Sequence, residues 1–489
     1  MQHELASLLD RINEPMGTLM VIVLSLTGLW FTLRTRGVQF RMLGEMVRLL
    51  FAPSKSSHTA PNESDHTFPQ GGETGKGTIS SFEAFVVSLA SRVGTGNLAG
   101  VATAIVIGGP GAIFWMWVMA LIGSVNTFIE CTLAQLFKRR TTDGQYIGGP
   151  AYYIQQGTGR RWHAVIFAVA IICQFGLTNN MVQANTISSA FTMAFHVPPV
   201  VMAAVLTILS LVVVFGGIQR IAKVCNVIVP FMAIAYLLIA LWIVATHLTL
   251  IPHVFMVIVR SAFGLDQAVG GTVGMAVLMG FKRGIFSNEA GEGSAPNAAA
   301  TAEVTHPVKQ GLIQTLGVFT DTLLVCSCTA FIILCSGLFG PALEGTGLNG
   351  IELTQAALTT HIGPAGQTVI AVAILFFAFS SVIGNYYYGE SNLRFLLDGT
   401  RWQWHGVQAY RLVLGVLIFT GSLMTIDLVW SLVDFFMVIM TVCNLIALLL
   451  LGRYALRLLR DYQQQRREGR DPVFRKDTLP ELADQLECW

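Results

Sequence analysis

Ala90-Ser91-Arg92-Val93-Gly94-Thr95-Gly96-Asn97-Leu98-Ala99-Gly100 stands inside an apolar run over 83–108, and Phe286-Ser287-Asn288-Glu289-Ala290-Gly291 stands inside another over 262–299. Each run is long enough to cross a membrane, where about 20 apolar residues suffice. In each, glycine and polar residues interrupt the helix at membrane depth. Unwound backbone is tolerated there only where protein buries it or where it lines a watery cavity. About five spans separate the interruptions, so each falls at the start of a five-span block, and paired breaks of this kind point to a secondary transporter with a site near the midplane.

The rest of the composition agrees. Of 489 residues, 53% are hydrophobic and 12% charged, against about 25% charged in soluble proteins. The chain reads as an all-α membrane protein of about 11 transmembrane helices, at 16–35, 83–108, 111–137, 163–194, 199–217, 224–247, 262–299, 311–338, 365–395, 409–428 and 430–452. The lipid bilayer is its expected surroundings, and no nucleic-acid partner is expected. Of the 30 Lys and Arg residues, 25 fall on loops, span ends and tail of one parity, and two, Arg11 and Arg260, on the other. Positive loops stay cytoplasmic, which predicts an external N-terminus, a cytoplasmic C-terminus and an odd number of spans. The first apolar run follows polar residues and lacks a small-residue cleavage site, so it reads as a retained anchor rather than a signal peptide.

Three regions follow. Residues 1–79 hold the first span and a cytoplasmic loop, 80–452 a ten-helix core with halves at about 80–247 and 262–452, and 453–489 a charged tail read as solvated. Residues 38–51 put apolar groups on one face and suit a short interfacial helix. Residues 52–78 read as a flexible loop; Gly72-Glu73-Thr74-Gly75-Lys76-Gly77 within it lacks the glycine spacing and the hydroxyl after Lys that a phosphate loop needs. The outer loop 339–364 is long enough to act as a lid.

All ten histidines fall at loops or span ends, which argues against a haem, copper or membrane-zinc enzyme, whose ligands would lie at depth. The eight cysteines form no CxxC pair, so neither a disulfide framework nor a zinc site is suggested. A channel would need a continuous polar pore, for which these spans are too apolar. No enzyme and no resident cofactor are expected.

Gly94 and Gly96 free backbone groups by weakening helix. N–H groups at the start of the continuing half-helix suit a carboxylate, and carbonyls ending the first half suit a hard cation. Taken alone, this motif serves equally well as a seam of small residues for close helix packing. The second break adds Lys282, Arg283, Glu289 and Glu292 within one span. Each buried charge costs at least about 2.5–3.5 kcal/mol at the bilayer centre, so each needs a partner or a task; an ion-pair network with Arg92, Asp321 or Glu130 is the structural alternative. Gln183 lies in a polar stretch of the 163–194 span and faces either a cavity or a neighbouring helix. Ser380 and Ser381, mid-span in 365–395, either ligate Na+ or bond back to their own helix.

At these residues the chain resembles the bacterial alanine-or-glycine:cation symporter family, often called sodium:alanine symporters. The resemblance rests on Val93 to Ala102, Gly108 to Trp117, Gly148 to Tyr153, Val182 to Asn185, Phe286 to Gly291 and Tyr386 to Glu390. It implies the inverted five-plus-five fold of the bacterial leucine transporter with one extra N-terminal helix. It further implies Na+ as coupling ion, held by carbonyls of Ala90, Val93 and Phe377 and the hydroxyls of Ser380 and Ser381. The substrate carboxylate would meet N–H groups around Gly94, Thr95, Gly96 and Asn97, with Gln183, Phe286, Ser287 and Asn385 shaping the pocket. Asn385 stands where the family pattern has a bulky aromatic, and an amide there opens serine or glutamine as substrates beside alanine or glycine. The expectation is sodium-coupled symport of a small neutral amino acid into a bacterial cell across its inner membrane, with proton coupling through Glu289 or Glu130 as the alternative.

Overall fold

The first of the two broken helices starts at a reciprocal cap. Ser80 Oγ accepts the N–H of Glu83 (3.2 Å), while Glu83 Oε2 accepts the N–H of Ser80 (2.8 Å), satisfying two donors that a helix start leaves open. The computed structural model containing this helix describes residues 2–51, 79–141, 144–265 and 272–489. The loop and glycine-rich motif read at 52–78 lie outside the described residues.

Helix α1 (Gln2–Thr35) turns through Arg36 and Gly37, both left-handed, into α2 (Val38–Arg41) and α3 (Leu43–Phe51). The interfacial helix read at 38–51 is therefore two short helices; α3 buries Met46 and Leu49 and pairs Arg48 with Glu45 on its more exposed side. Helix α4 (Ser81–Arg92) stops at the extended Val93, a π-helical turn spans Gly96–Gly100, and α5 (Val101–Gly108) completes the broken helix. Helix α6 (Gly111–Leu136) leads to a small hairpin of β1 (Arg139–Arg140) and β2 (Tyr146–Ile147), then α7 (Pro150–Thr158). Helices α8 (Arg161–Ile171) and α9 (Asn179–Phe195) join through a π-helical stretch, followed by α10 (Pro199–Val214), α11 (Gly217–Thr246) and α12 (Ile251–Ala262).

The second broken helix is α13 (Val273–Asn288) and α14 (Ala295–Ala299). Helices α15 (Pro307–Val318) and α16 (Ser327–Cys335) join through a π-helical Phe319–Cys326. Then come α17 (Gly350–Ile362), α18 (Ala365–Leu396), α19 (Gln403–Gly421) and α20 (Ile426–Arg467). Among the described residues, seven helices are long and apolar enough to cross a membrane: α1, α6, α8 with α9, α11, α15 with α16, α18 and α20. The two breaks cut the helices that carry them into shorter pieces.

Three helices lie where none was expected, α7 between the second and third expected core spans, and α12 and α17. Helix α12 buries Val254 and Ile258 against α6, and Ser261 Oγ accepts the N–H of Gly111 (3.0 Å). Helix α17 occupies the loop read as a lid; Thr354 Oγ1 donates to Leu98 O (3.2 Å), so it is packed on the first broken helix. Helix α14 and the start of α4 are also tied, by a parallel bridge between Ile79 and Ala302 in which Glu303 N–H donates to Ile79 O (3.0 Å).

The tail is solvated only on its charged side. Helix α20 continues to Arg467, and the segment beyond it folds back, burying Phe474, Leu479, Leu482 and Leu486. Phe474 N–H donates to Thr305 O (2.9 Å), and Lys309 pairs with Asp471 (2.9 Å). Trp489 Nε1 donates to Gln135 O and Leu136 O, both 3.1 Å away, the open carbonyls at the end of α6. The Lys138 ammonium lies 4.8 Å from the Trp489 ring and 4.1 Å from that of Tyr146. The apolar residues spaced between charges in this segment carried the signal, which a count of charges concealed. Trp489→Ala removes the capping bonds and the cation–π contact, together about 2 kcal/mol. It should lower the unfolding midpoint in detergent and speed maleimide labelling of Cys488, read by peptide mass; unchanged labelling would mean the indole does not hold the tail.

Candidate functional site

At the first break, the chain leaves α4 through Val93 (φ −79°, ψ 90°), which opens the backbone N–H groups that follow. Side chains take them up. Asn97 Oδ1 accepts from Gly94 N–H (2.9 Å) and Gln183 Oε1 from Thr95 N–H (2.9 Å); Gln183 is itself oriented by donating to Asn179 Oδ1 (2.9 Å). Gly94, Thr95, Asn97 and Gln183 thus form one connected group. The glycines are sterically required: a Cβ on Gly94 would run into Ser381 Oγ, and one on Gly96 would stand 2.9 Å from Ser287 Cα and 3.1 Å from Phe286 Cδ1. The two breaks therefore touch at Gly96.

At the second break, Glu289, Gly291 and Gly293 all have positive φ (59°, 84° and 90°). A non-glycine residue in that region costs on the order of 1–3 kcal/mol unless its surroundings hold it there. Glu289 is held by two hydroxyls, Ser91 Oγ from α4 and Ser294 Oγ from its own segment. Asn288 Nδ2 donates to Thr322 Oγ1 (2.8 Å), and Asn288 Oδ1 accepts from Ala290 N–H (3.0 Å).

One carboxylate joins the two broken helices. Asp321 Oδ1 accepts from Asn97 Nδ2 (2.7 Å), and Oδ2 from Ser287 Oγ (2.8 Å) and Thr322 Oγ1 (3.0 Å). All three donors are neutral, which suits an ionised, acceptor-only group.

The residues implied as ion ligands converge. Ser381 Oγ lies 2.9 Å from Ala90 O, 3.4 Å from Val93 O and 3.1 Å from Phe377 O, and Ser380 Oγ lies 2.8 Å from Phe377 O. This is a buried, uncharged, all-oxygen set spanning α4 and α18. Asn385, by contrast, lies against Ser91 of α4, with Oδ1 2.6 Å from Ser91 Oγ. One hydroxyl has one proton, so with Ser91 donating to Glu289 the consistent amide orientation turns Asn385 Nδ2 toward Ser91.

Above Phe286 sits a layer that the sequence reading missed. The Trp430 ring packs on Phe286 (centroids 4.6 Å apart), Arg283 lies 4.0 Å over Trp430, and Lys282 and Arg283 both reach Asp434 (3.6 and 3.5 Å). The expected partners of these cations were Asp321 or Glu130; α20 supplies Asp434 instead. An acid in an otherwise apolar run was the available signal. Arg92, 2% exposed, donates to Gln314 O (3.0 Å).

Gly96→Ala should reduce substrate uptake by more than about tenfold, a cost above 1.4 kcal/mol from a Cβ wedged between two helices. Gly100→Ala, whose Cβ would meet only Thr95 O at 3.8 Å, should retain uptake. Equal effects would count against the close approach at Gly96. Asp434→Asn leaves two buried cations without their carboxylate, a loss of about 3–5 kcal/mol. It should collapse yield or thermal stability, and adding Lys282→Met should restore part of it; a thermally unchanged single mutant would contradict the pairing.

Residues 2–476 match the model of the sodium:alanine symporter family. The amino-acid carrier protein AlsT of Bacillus subtilis is 48% identical over 94% of this chain and 93% of its own length. The probable sodium/glutamine symporter GlnT of the same organism is 45% identical over 100% and 97%, and the sodium/alanine symporter AgcS of Methanococcus maripaludis 38% identical over 92% and 95%. With a family match over nearly its whole length and relatives this similar, the chain belongs to the sodium:alanine symporter family of membrane transporters.

Proposed function

We propose that this protein couples entry of Na+ to uptake of a small neutral amino acid, alanine or glycine, by alternating access. The observation that carries the reading is the gathering of Ala90 O, Val93 O and Phe377 O around the Ser381 hydroxyl, with the Ser380 hydroxyl on Phe377 O beside it. Oxygen ligands without charge suit a monovalent hard cation, and a Na+ ion there would tie the end of α4 to α18. The substrate carboxylate would bind at the opened N–H groups from Gly94 to Gly96, displacing the Gln183 amide oxygen from Thr95. Its ammonium would turn toward the second break at Phe286 and Ser287. Because ion and substrate both order the first break, each raises the other's affinity.

In this reading the seven continuous helices, the two broken ones, α10 and α19 give eleven crossings, with inverted halves at 80–247 and 262–452 after an extra first helix. The N-terminus lies outside and the tail 453–489 in the cytoplasm of a bacterial cell, as the 25-to-2 split of basic residues suggests. The tight contact of Gly96 with Phe286 and Ser287 favours a small side chain on the substrate. A second reading, glutamine as substrate, is favoured by the similarity to the sodium/glutamine symporter over the whole chain.

Replacing Ser380 and Ser381 together by Ala removes two oxygen ligands with little change of shape. The Na+ concentration for half-maximal alanine uptake into proteoliposomes should rise about tenfold or more, and an unchanged value would refute the ion site. Competition of labelled alanine by glycine, serine and glutamine in the parent separates the two substrate readings.

A further inference from the structure

The second break carries an acid that the symport reading does not use. Glu292 is 1% exposed, and neither carboxyl oxygen has a hydrogen-bond partner within the protein. Among the described residues, the charged groups acting on it are Glu289 of its own segment, Glu130 of α6 and Asp434 of α20, all acidic. Arg92 of α4 acts instead on Glu130 and Glu289, whereas Asp434 faces Lys282 and Arg283. An ionised carboxylate with no donor, no cation and acidic neighbours would cost many kcal/mol at this depth.

A second polar side chain points the same way. Asn126 of α6 is fully buried with neither amide atom partnered, and its Nδ2 stands 3.3 Å from the place of a Cβ on Gly291, so it faces the break. Glu130 Oε1 is unpartnered too, while Asn444 Nδ2 of α20 bonds both Glu130 Oε2 (2.7 Å) and Gly291 O (3.0 Å). The neutral titratable groups around these acids are Cys131 of α6 beside Glu130, Tyr153 of α7, bonded to Asn444, and Tyr388 of α18 near Glu289. The carboxylates do not converge as a metal would require: no group of three His, Cys, Asp or Glu among the described residues could hold an ion. A proton needs only one oxygen.

We propose that Glu292 is a proton-binding site of the second broken helix, separate from the sodium and substrate sites. With the break sealed, as here, the carboxyl is neutral. When the break opens to water, the O–H bond breaks, the proton leaves as hydronium and the carboxylate is hydrated; resealing takes one proton back from water. The exchange rests on the alternating-access reading, whereas the proton's presence in the sealed state does not.

Infrared difference spectroscopy of the purified protein at neutral pH, parent minus Glu292→Gln, tests the site directly. It should show a carboxylic-acid carbonyl band lost in the variant, and absence of that band overturns the proposal whether or not the protein transports. In proteoliposomes, Na+-dependent alanine counterflow by the parent should fall as pH rises and strips the proton. Glu292→Gln, which mimics the neutral acid, should hold its neutral-pH rate to within about twofold under alkaline conditions. Parallel pH profiles would overturn the exchange step. Absent counterflow in the parent would instead defeat the symport reading and leave the infrared result to decide the site. A variant that fails to fold is bypassed by titrating the band in the parent against pH, where no acid band at neutral pH again overturns the proposal.

Discussion

A helix opened inside a bilayer has no water to satisfy its backbone, and every other feature of this core answers to that constraint. Here the opened N–H groups are met by side chains of their own half, Asn97 and Gln183 at the first break and Asn288 at the second, and the side chains of the two breaks then bond to one another. Asp321 receives Asn97 from the first break and Ser287 from the second, while Ser91 of the first reaches Glu289 of the second. The breaks are therefore mutually supporting: neither could be closed into regular helix without stranding polar atoms of the other. The left-handed Glu289 is tolerated for the same reason, since the hydroxyls that hold its carboxylate also fix its backbone.

This arrangement also decides where charge can sit. Acids cluster at the breaks because neutral donors there can solvate them, as Ser287, Thr322 and Asn97 do for Asp321. Two of the cations, Lys282 and Arg283, are set apart against Asp434 and the Trp430 ring, whereas Arg92 lies at the end of α4 among the acids of the breaks. A low-dielectric interior makes each fully satisfied group rigid and each unsatisfied one costly, so the contrast between Asp321, bonded three times, and Glu292, bonded by nothing, separates a fixed joint from a titratable one.

Much of this was legible in the sequence. Gly-x-Gly at 94–96 and the polar run at 287–291 marked both breaks, although either motif alone had a packing or ion-pair explanation and only their occurrence at matching places in the two halves favoured a break. The nearness of Ser381 to the carbonyls of Ala90 and Val93 was expected from family likeness alone, since no spacing rule places residues this far apart together. The bonds of Ser380 and Ser381 to Phe377 O, by contrast, are the bonding back to their own helix that the sequence also offered. Asn385 came out against Ser91 rather than the glycines, one helix turn along α18 from Ser381. What sequence could not give was the identity of long-range partners: Asp434, Asn444 and Trp430 all lie on α20, in a run whose few polar residues were outnumbered by apolar ones. The packed tail was misread because its charges are solvated while its spaced apolar residues are not, and a composition average merges the two.

The strand-like pairing of Ile79 with Ala302 has a bearing on biosynthesis. The residue before the first broken helix finds its backbone partner just after the second, half the chain later. During synthesis, therefore, α4 enters the membrane long before the segment that anchors its start exists, and its polar break must wait without Asp321, Glu289 or Ser287. Long-range closures of this kind are slow and leave unfinished surfaces exposed. The interval between translation of residue 92 and residue 321 is the period in which this chain is most exposed to misassembly and to the proteases that survey it.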